Sequence, residues 1–359
     1  MKNNTNVTKL LNRLTETKAE TIKLGLDVHA RDVVVSIQLD GAVPQRAQKM
    51  TVAQLLALVR GLVEAGRKVY TCYEAGPCGY GLHRALLAGG ATNYVVVPEA
   101  LAGGRRQKTD RLDAGALTDR LDRYVRGNPK AFTAITVPTE AQEQARTEAR
   151  LRDQLKRSRL EWEARGRSLL LFYGHHVTGA WWTPRRWREL QPTLAAWLVA
   201  QLEILRTVLV QLDTQEKARR AALEAQAPKH LPVAVGALTW VLLLREIGDW
   251  ARFRNRREVA SYTGLCPGVH QTGGCRRDGP INRHGNPRVR ALLLELVWRL
   301  MQWQPNYPPV RALAASAARG RGRRKLAVAA ARKLAIDLWR LATGQTTPEK
   351  LQLVVPQAA

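Results

Sequence analysis

The chain has 359 residues, enough for two or three domains and more than one hydrophobic core. Its 57 Lys+Arg against 30 Asp+Glu give a net charge of +27, far more than solubility requires, which points to a polyanionic partner. A membrane is disfavoured as that polyanion: no stretch is apolar enough over sufficient length to span a bilayer, and residues 1–20 lack the apolar centre of a secretory signal. A cytoplasmic location is therefore expected. Cys72, Cys78, Cys266 and Cys275 form no CxxC pair and fit free thiols in a reducing compartment. Cys266, His270, Cys275 and His284 have a spacing that matches no standard zinc finger.

Residues 1–21 read as a polar, partly helical leader. Residues 22–29 form a strand with Asp27 near its end, 32–39 a second strand and 43–50 a weak third. The short links between them favour an antiparallel meander. A helix is expected over 51–65, with Leu55, Leu56, Leu58, Val59 and Leu62 on a broad apolar face. The strand over 68–73 ends at Glu74 and is stopped by Ala75-Gly76-Pro77. A helix over 79–87 closes at Gly89-Gly90, and 94–97 is a buried strand.

Next comes Lys108-Thr109-Asp110-Arg111-Leu112-Asp113-Ala114, at the head of a helix over 114–124. Asp110 and Asp113 are three residues apart and share one helix face. Carboxylates so placed repel unless something positive lies between them. Lys108 and Arg111 are near in sequence, and a divalent cation is the stronger answer. The plainer reading is a solvated, acidic first turn favoured by the helix dipole. The order of three meandering strands followed by helix, strand, helix, strand and helix is that of an RNase H-like (RuvC-like) α/β fold, by analogy at the level of the fold. In that order Asp27, Glu74, Asp110 and Asp113 come from three distant segments. They could converge to bind two Mg²⁺ ions about 4 Å apart for phosphoryl transfer.

Residues 128–140, with Pro129 and Pro138, read as a linker that ends a catalytic domain spanning 22–127. Residues 141–228 carry two long helices, over 141–171 and 191–227, as an antiparallel coiled-coil arm or a plain helical bundle. Between them Trp181, Trp182 and Trp187 lie among arginines, either to stack on unpaired bases or to form the core where helices meet. From residue 229 to 346 a mostly helical C-terminal domain is expected, with a tail over 347–359. Residues 232–244 resemble a degenerate helix-hairpin-helix, a module whose turn amides hold a phosphate. Arg252, Arg254, Arg256 and Arg257 form a first basic cluster. Gly264-Leu265-Cys266-Pro267 then leads into a polar loop over 268–285. Arg276, Arg277, Arg283, Arg288 and Arg290 form a second cluster before a helix over 291–303. Arg321, Arg323, Arg324 and Lys325 form a third, ahead of a last helix over 326–341. These clusters read as contacts to a nucleic-acid backbone, which carry affinity but no sequence information.

The motifs GLDVHA, YEAGPCGYGLHRAL, KTDRLDA, GLCPGVHQTGG and NRHGNPRVRALLLE, taken together, resemble the DEDD transposases of bacterial insertion sequences, the insertion-sequence one-hundred-and-ten / eleven-eleven group. The likeness runs from about residue 23 to about residue 346. It implies a RuvC-like N-terminal domain, a coiled-coil arm and a C-terminal transposase domain. It also implies a recombinase that uses a structured non-coding RNA to choose donor and target DNA, acting at the bacterial nucleoid. Asp27, Glu74, Asp110 and Asp113 carry over as the Mg²⁺ ligands. A C-terminal serine of the family attacks a DNA phosphate covalently, together with the acidic site of a neighbouring protomer, so a homo-oligomer (dimer or tetramer) is implied. This chain departs from the pattern at that serine: Gln271-Thr272-Gly273-Gly274 places Thr272 there. Threonine offers the same hydroxyl, but its methyl stiffens χ1. Three functions therefore stand side by side. One is a guided recombinase attacking through Thr272. Another is a RuvC-like nuclease that uses water. The third is a decayed transposase that only binds nucleic acid.

Overall fold

The computed structural model describes residues 2–98, 110–272 and 275–355; the side chains of residues 2–6, 111 and 269–278 lie outside that description. Lys108 and Gly273-Gly274 thus fall outside the described residues, as do the side chains of Arg111, His270, Thr272, Cys275, Arg276 and Arg277. The chain divides into two compact units, residues 1–137 and 138–359.

The first unit comprises α1 (Lys2–Thr15), β1 (Thr21–Val28), β2 (Asp32–Leu39), β3 (Gln48–Thr51), α2 (Val52–Glu64), β4 (Lys68–Glu74), α3 (Gly81–Ala88), β5 (Thr92–Val96) and α4 (Asp110–Val125). Its five strands form one mixed sheet in the order β3-β2-β1-β4-β5. The meander β1-β2-β3 is antiparallel, as the short links predicted, while β4 and β5 add in parallel on the other side of β1. Thr51 closes β3 and opens α2 with a capping box to Gln54, which fixes where strand becomes helix. The third strand begins later than the sequence suggested, because the residues before Gln48 are irregular chain.

Side-chain alternation along β1 sorts its residues between two layers. Ile22, Leu24 and Leu26 enter the core made with α1, α2 and α3. Leu10 and Leu14 of α1 are buried in that same core, so the N-terminal segment is a structural helix rather than a polar leader. The alternate residues Lys23, Gly25 and Asp27 face α4. Lys23 is buried there and pairs with Asp122 of α4 at 2.9 Å. A smaller core of Cys72, Val96, Leu117, Leu121 and Phe132 seals this second face.

The second unit begins with α5 (Glu140–Phe172), α6 (Pro184–Leu190) and α7 (Ala196–Glu224), continues through α8 (Ala237–Ile247), α9 (Arg256–Thr263), β6 (Pro267–Thr272) and β7 (Cys275–Ile281), and ends with α10 (Pro287–Trp303), α11 (Pro308–Ala314) and α12 (Gly320–Ala342). Helices α5 and α7 run antiparallel: Leu170 packs near Leu198, Arg152 meets Glu216, and Ala149 shares a core with Leu223. The middle of their seam is ionic rather than apolar, with Arg159 bonded to Glu216 at 2.9 Å. Leu293, Leu296, Val297 and Leu300 of α10 pack against α12 and α9 in the largest core.

The structure decides between the two readings of the tryptophans and corrects three expectations. Trp181, Trp182 and Trp187 are 0%, 4% and 4% exposed, and their indole N–H groups donate to the Glu163 carbonyl, the Glu163 carboxylate and Glu203, respectively. They are core, closed to bases, and the ring of Trp181 packs directly on Gly166. The helix-hairpin-helix is absent: the residues before α8 are irregular, and the Val233 amide donates to the Val354 carbonyl instead of standing open to a phosphate. The polar loop over 268–285 is largely the antiparallel hairpin β6–β7. The basic run at 319–325 does not precede the last helix but forms the first turns of α12.

Candidate active site

At the α4 face of the sheet the backbone does the positioning. A Cβ on Gly25 would sit 2.5 Å from the Thr118 amide nitrogen, so only glycine lets α4 lie this close to β1. The Gly25 amide donates to Thr118 Oγ1 at 3.1 Å, and that hydroxyl in turn donates to the Ala114 carbonyl at 2.9 Å. This buried bond locks α4 in register against β1, and Asp110 opens the same helix one turn before Ala114.

Asp27 lies two residues beyond Gly25 on the same strand face. Its Oδ2 is 3.3 Å from Nε2 of His29, and Oδ2 of Asp110 is 3.3 Å from that same nitrogen. One ligand atom each from Asp27, His29 and Asp110 falls within 4.8 Å of the others; among the described residues no other group of His, Cys, Asp and Glu meets this condition. Asp27 is 26% exposed at its side chain and Asp110 63%, so the cluster opens to solvent. Glu74 ends β4, where the parallel register pairs Leu26 with Tyr73 and Gly25 with Cys72; the next step along each strand brings Asp27 and Glu74 side by side. Asp113 follows Asp110 by three residues in the first turn of α4. Glu74 thus ends a strand beside that of Asp27, Asp113 shares the first turn of α4 with Asp110, and the side chains that the structure brings together are Asp27 and Asp110 on His29.

His29 was not among the residues assigned a role from the sequence. The signal was available: a histidine two positions after a strand-end aspartate shares its face. Cys72 lies on this face too, but burial pushes its thiol up to about 12, with Arg120 pulling it down and Glu74 adding to the rise. It is a core thiol, not a nucleophile.

The basic residues separate into two groups. Arg254, Arg256, Arg257, Arg283, Arg321, Arg324 and Lys325 are exposed. Arg323 lies over the ring of Trp298 at 5.7 Å, beside the exposed end of α10. Three others, all partly exposed, already have partners within the protein. Arg288 pairs with Asp153 and Glu246, Arg290 donates to the Thr263 carbonyl, and Arg252 stacks on Phe253 and Tyr262 at 4.7 and 4.5 Å. Thr272 ends β6, its backbone paired with Cys275 across the hairpin. The hairpin is fixed at its base by a close approach of Gly285 to the backbone of Gly264, and by Asn286, whose side-chain amide donates to Glu246.

Comparison with known proteins places these observations in a lineage. Residues 233–310, from the irregular segment before α8 into α11, match the family described as Transposase IS116/IS110/IS902 family. The protein y4rJ of Sinorhizobium fredii, named as a transposase, is 31% identical over 301 residues, 74% of this chain and 75% of its own length. A second protein of that organism, y4qE, also named as a transposase, is 32% identical over 67% of this chain and 60% of its own length. The transposase for insertion sequence element IS1111A of Coxiella burnetii is 26% identical over 77% of this chain and 79% of its own length. The alignments extend well beyond the C-terminal segment that the family description matches, and y4rJ shares nearly a third of its residues across three quarters of both chains. The chain belongs to the IS116/IS110/IS902 family and is an insertion-sequence DNA transposase.

Proposed function

We propose that this transposase is an RNA-guided, Mg²⁺-dependent recombinase. In this reading its sheet unit is a RuvC-like (RNase H-like) domain with Asp27, Glu74, Asp110 and Asp113 as cation ligands, and Thr272 supplies the attacking hydroxyl. The observation that carries the proposal is the convergence of Asp27 and Asp110, far apart in sequence, on one solvent-open point. The strand order supports it as well: an antiparallel meander with two parallel strands added beside β1 is the arrangement expected of that fold.

The donor set fits a hard divalent ion, since carboxylate oxygens suit Mg²⁺ and the open site leaves room for water and phosphate oxygens. When bound, the cation would polarise the phosphoryl oxygens and stabilise the leaving oxygen. The chain's own residues do the rest. Asp27 sits on a central strand and Asp110 opens a helix held in register against it, so the backbones that carry the two carboxylates are fixed, which limits the cost of misplacement. The Thr272 hydroxyl attacks phosphorus: a new O–P bond forms as the bridging P–O bond of the DNA strand breaks. The hydroxyl proton passes to solvent and the departing DNA oxygen takes up a proton. Attack by a DNA hydroxyl on the protein–DNA ester reverses the step and rejoins a strand.

The exposed arginines of α9 and α12 hold DNA and guide RNA through their backbones, and base pairing with the RNA supplies the sequence choice. The antiparallel α5–α7 pair serves as the arm between assembled copies. The acids lie in one compact unit and Thr272 in the other, which suits a homo-oligomer in which one protomer's hydroxyl works with another's acids.

The test is covalent trapping with the flanking non-coding RNA, labelled donor DNA and Mg²⁺, resolved on a denaturing gel. An adduct in wild type and Thr272→Ser, absent in Thr272→Ala and Asp27→Ala, is the expected outcome. Cleavage without an adduct would replace the proposal with a hydrolytic nuclease. An adduct confined to Thr272→Ser would identify a disabled copy with otherwise intact machinery.

A further inference from the structure

The end of β1 presents a side chain for which the four-carboxylate reading has no use. His29 follows Asp27 by two residues, so alternation aims both at the same face. Its backbone is not loose: the His29 amide donates to the Asp32 carbonyl at 2.9 Å, closing the short link between β1 and β2. Its Nε2 stands 3.3 Å from a carboxylate oxygen of Asp27 and 3.3 Å from one of Asp110. Adjacent donors around an octahedral ion with bonds of about 2.1 Å are about 3 Å apart, so the imidazole nitrogen stands from each oxygen at close to the spacing of a neighbouring ligand, and all three atoms lie within 4.8 Å of one another.

We infer that His29 is a ligand of the divalent cation held by Asp27 and Asp110, so that the site offers one nitrogen donor beside its carboxylates. The inference rests on the cation reading proposed above and adds to it. A purely structural role for the ring is the competing account. Three features argue against it. His29 is 46% exposed, so it fills no core. The same nitrogen faces both acids, where an ordinary surface pair needs only one. And the cluster draws on two elements that are held together by the Gly25–Thr118 bond, so the backbones that carry it are kept in register by the fold. A nitrogen donor has a chemical consequence. Imidazole raises affinity for transition-metal ions more than for Mg²⁺, which prefers oxygen. The site should therefore accept Mn²⁺ well, and His29 should account for most of the margin by which Mn²⁺ outbinds Mg²⁺.

The experiment uses the purified full chain and Mn²⁺ as the probe, with no nucleic acid. Bound Mn²⁺ is titrated by electron paramagnetic resonance, and its ligands are read by electron-spin-echo modulation, which detects a coordinated nitrogen directly. Wild type is expected to bind Mn²⁺ with modulation from one imidazole nitrogen. His29→Gln, at a half-exposed position, should fold normally, lose the nitrogen modulation and bind Mn²⁺ about tenfold more weakly. Mg²⁺ affinity, read by displacement of Mn²⁺, should fall much less. Asp27→Asn should lose the site. Mn²⁺ binding that depends on Asp27 but shows no nitrogen modulation would overturn the histidine ligand while leaving the carboxylate site standing. Nitrogen modulation that survives His29→Gln would overturn it equally. Absence of any Asp27-dependent Mn²⁺ binding would overturn the cation site itself and the histidine with it.

Discussion

Glu246 and Glu216 in the helical unit, and Asp27 and Asp110 in the sheet unit, are carboxylates of a chain with nearly twice as many cations as acids. The helical pair is closed in. Glu246 is 3% exposed and bonded by Arg150, Arg288 and Asn286; Glu216 is 10% exposed and bonded by Arg152 and Arg159. Asp27 and Asp110 stand open to water and share an imidazole. A buried carboxylate must be matched by hydrogen-bonding cations before the fold is stable, so its charge is already neutralised when folding ends. A carboxylate at the solvent-open end of a strand keeps its field available to a ligand. The same functional group is thus closed within one unit and open to solvent in the other.

The sharpest way to break the contrast is to remove a cementing acid. Glu246→Ala removes the buried acceptor shared by Arg150, Arg288 and Asn286, and should cost the helical unit about 3 kcal/mol in denaturant unfolding, since the two arginines it leaves are partly hydrated. The pH dependence is equally specific. Burial pushes the Glu246 carboxyl up, but hydrogen bonds from Arg150 and Asn286 and the charges of Arg150 and Arg146 outweigh it, and the net shift is below the ordinary 4.5. Its contribution is therefore complete above about pH 4.5 and fades as pH falls through the lower folded value. The stability gap between wild type and Glu246→Gln should be widest near neutrality and narrow in acid. A gap that did not change with pH would remove charge from the explanation. Asp27→Asn, by contrast, should leave unfolding nearly unchanged while abolishing cation binding.

The next effect belongs to the sheet unit. Gly25→Ala drives a methyl into the backbone of α4 near Thr118, and should destabilise that unit by about 1–3 kcal/mol. Because the displaced helix carries Asp110, cation affinity should fall by more than the loss of folded protein explains. If affinity tracked the folded fraction alone, the claim that Gly25 sets the Asp27–Asp110 spacing would fail.

Much of the sheet unit was legible in the sequence. Its strands are short apolar runs, and β2 spans the same residues, 32–39, as the run DVVVSIQL, buried throughout its interior. The capping pairs Thr51–Gln54 and Thr139–Gln142 mark where α2 and α5 begin. The failures have physical causes. Arginine counts alone could not separate Arg324, exposed on α12, from Arg288, which meets Asp153 of a helix far away in sequence. The tryptophans between arginines left stacking and core both open, because Glu163, which accepts the indole protons of Trp182 through its side chain and Trp181 through its carbonyl, lies on another helix. The hairpin β6–β7 was masked by its polar composition, although Gly273-Gly274 is a dipeptide suited to a two-residue link. His29 was overlooked because a polar residue just past a strand end is usually only solvated.

The smallest predicted effect carries the comparison from acids to cations. Arg324 sits exposed in the first turns of α12, next to Arg323 over Trp298, whereas Arg288 is held by Asp153 and Glu246. If Arg324 faces a phosphate, Arg324→Ala should lower the slope of log affinity against log salt by about one, and weaken binding similarly for unrelated DNA sequences. Folding stability should not change. Arg288→Ala should do the reverse, lowering stability while the remaining folded protein keeps the wild-type salt slope. The two readouts are independent, so a slope change in Arg288→Ala without loss of stability would mean that its ion pairs open to admit nucleic acid. An unchanged slope in Arg324→Ala would move the polyanion track off α12 and onto the exposed arginines of α9, where Arg256 and Arg257 are the next residues to replace.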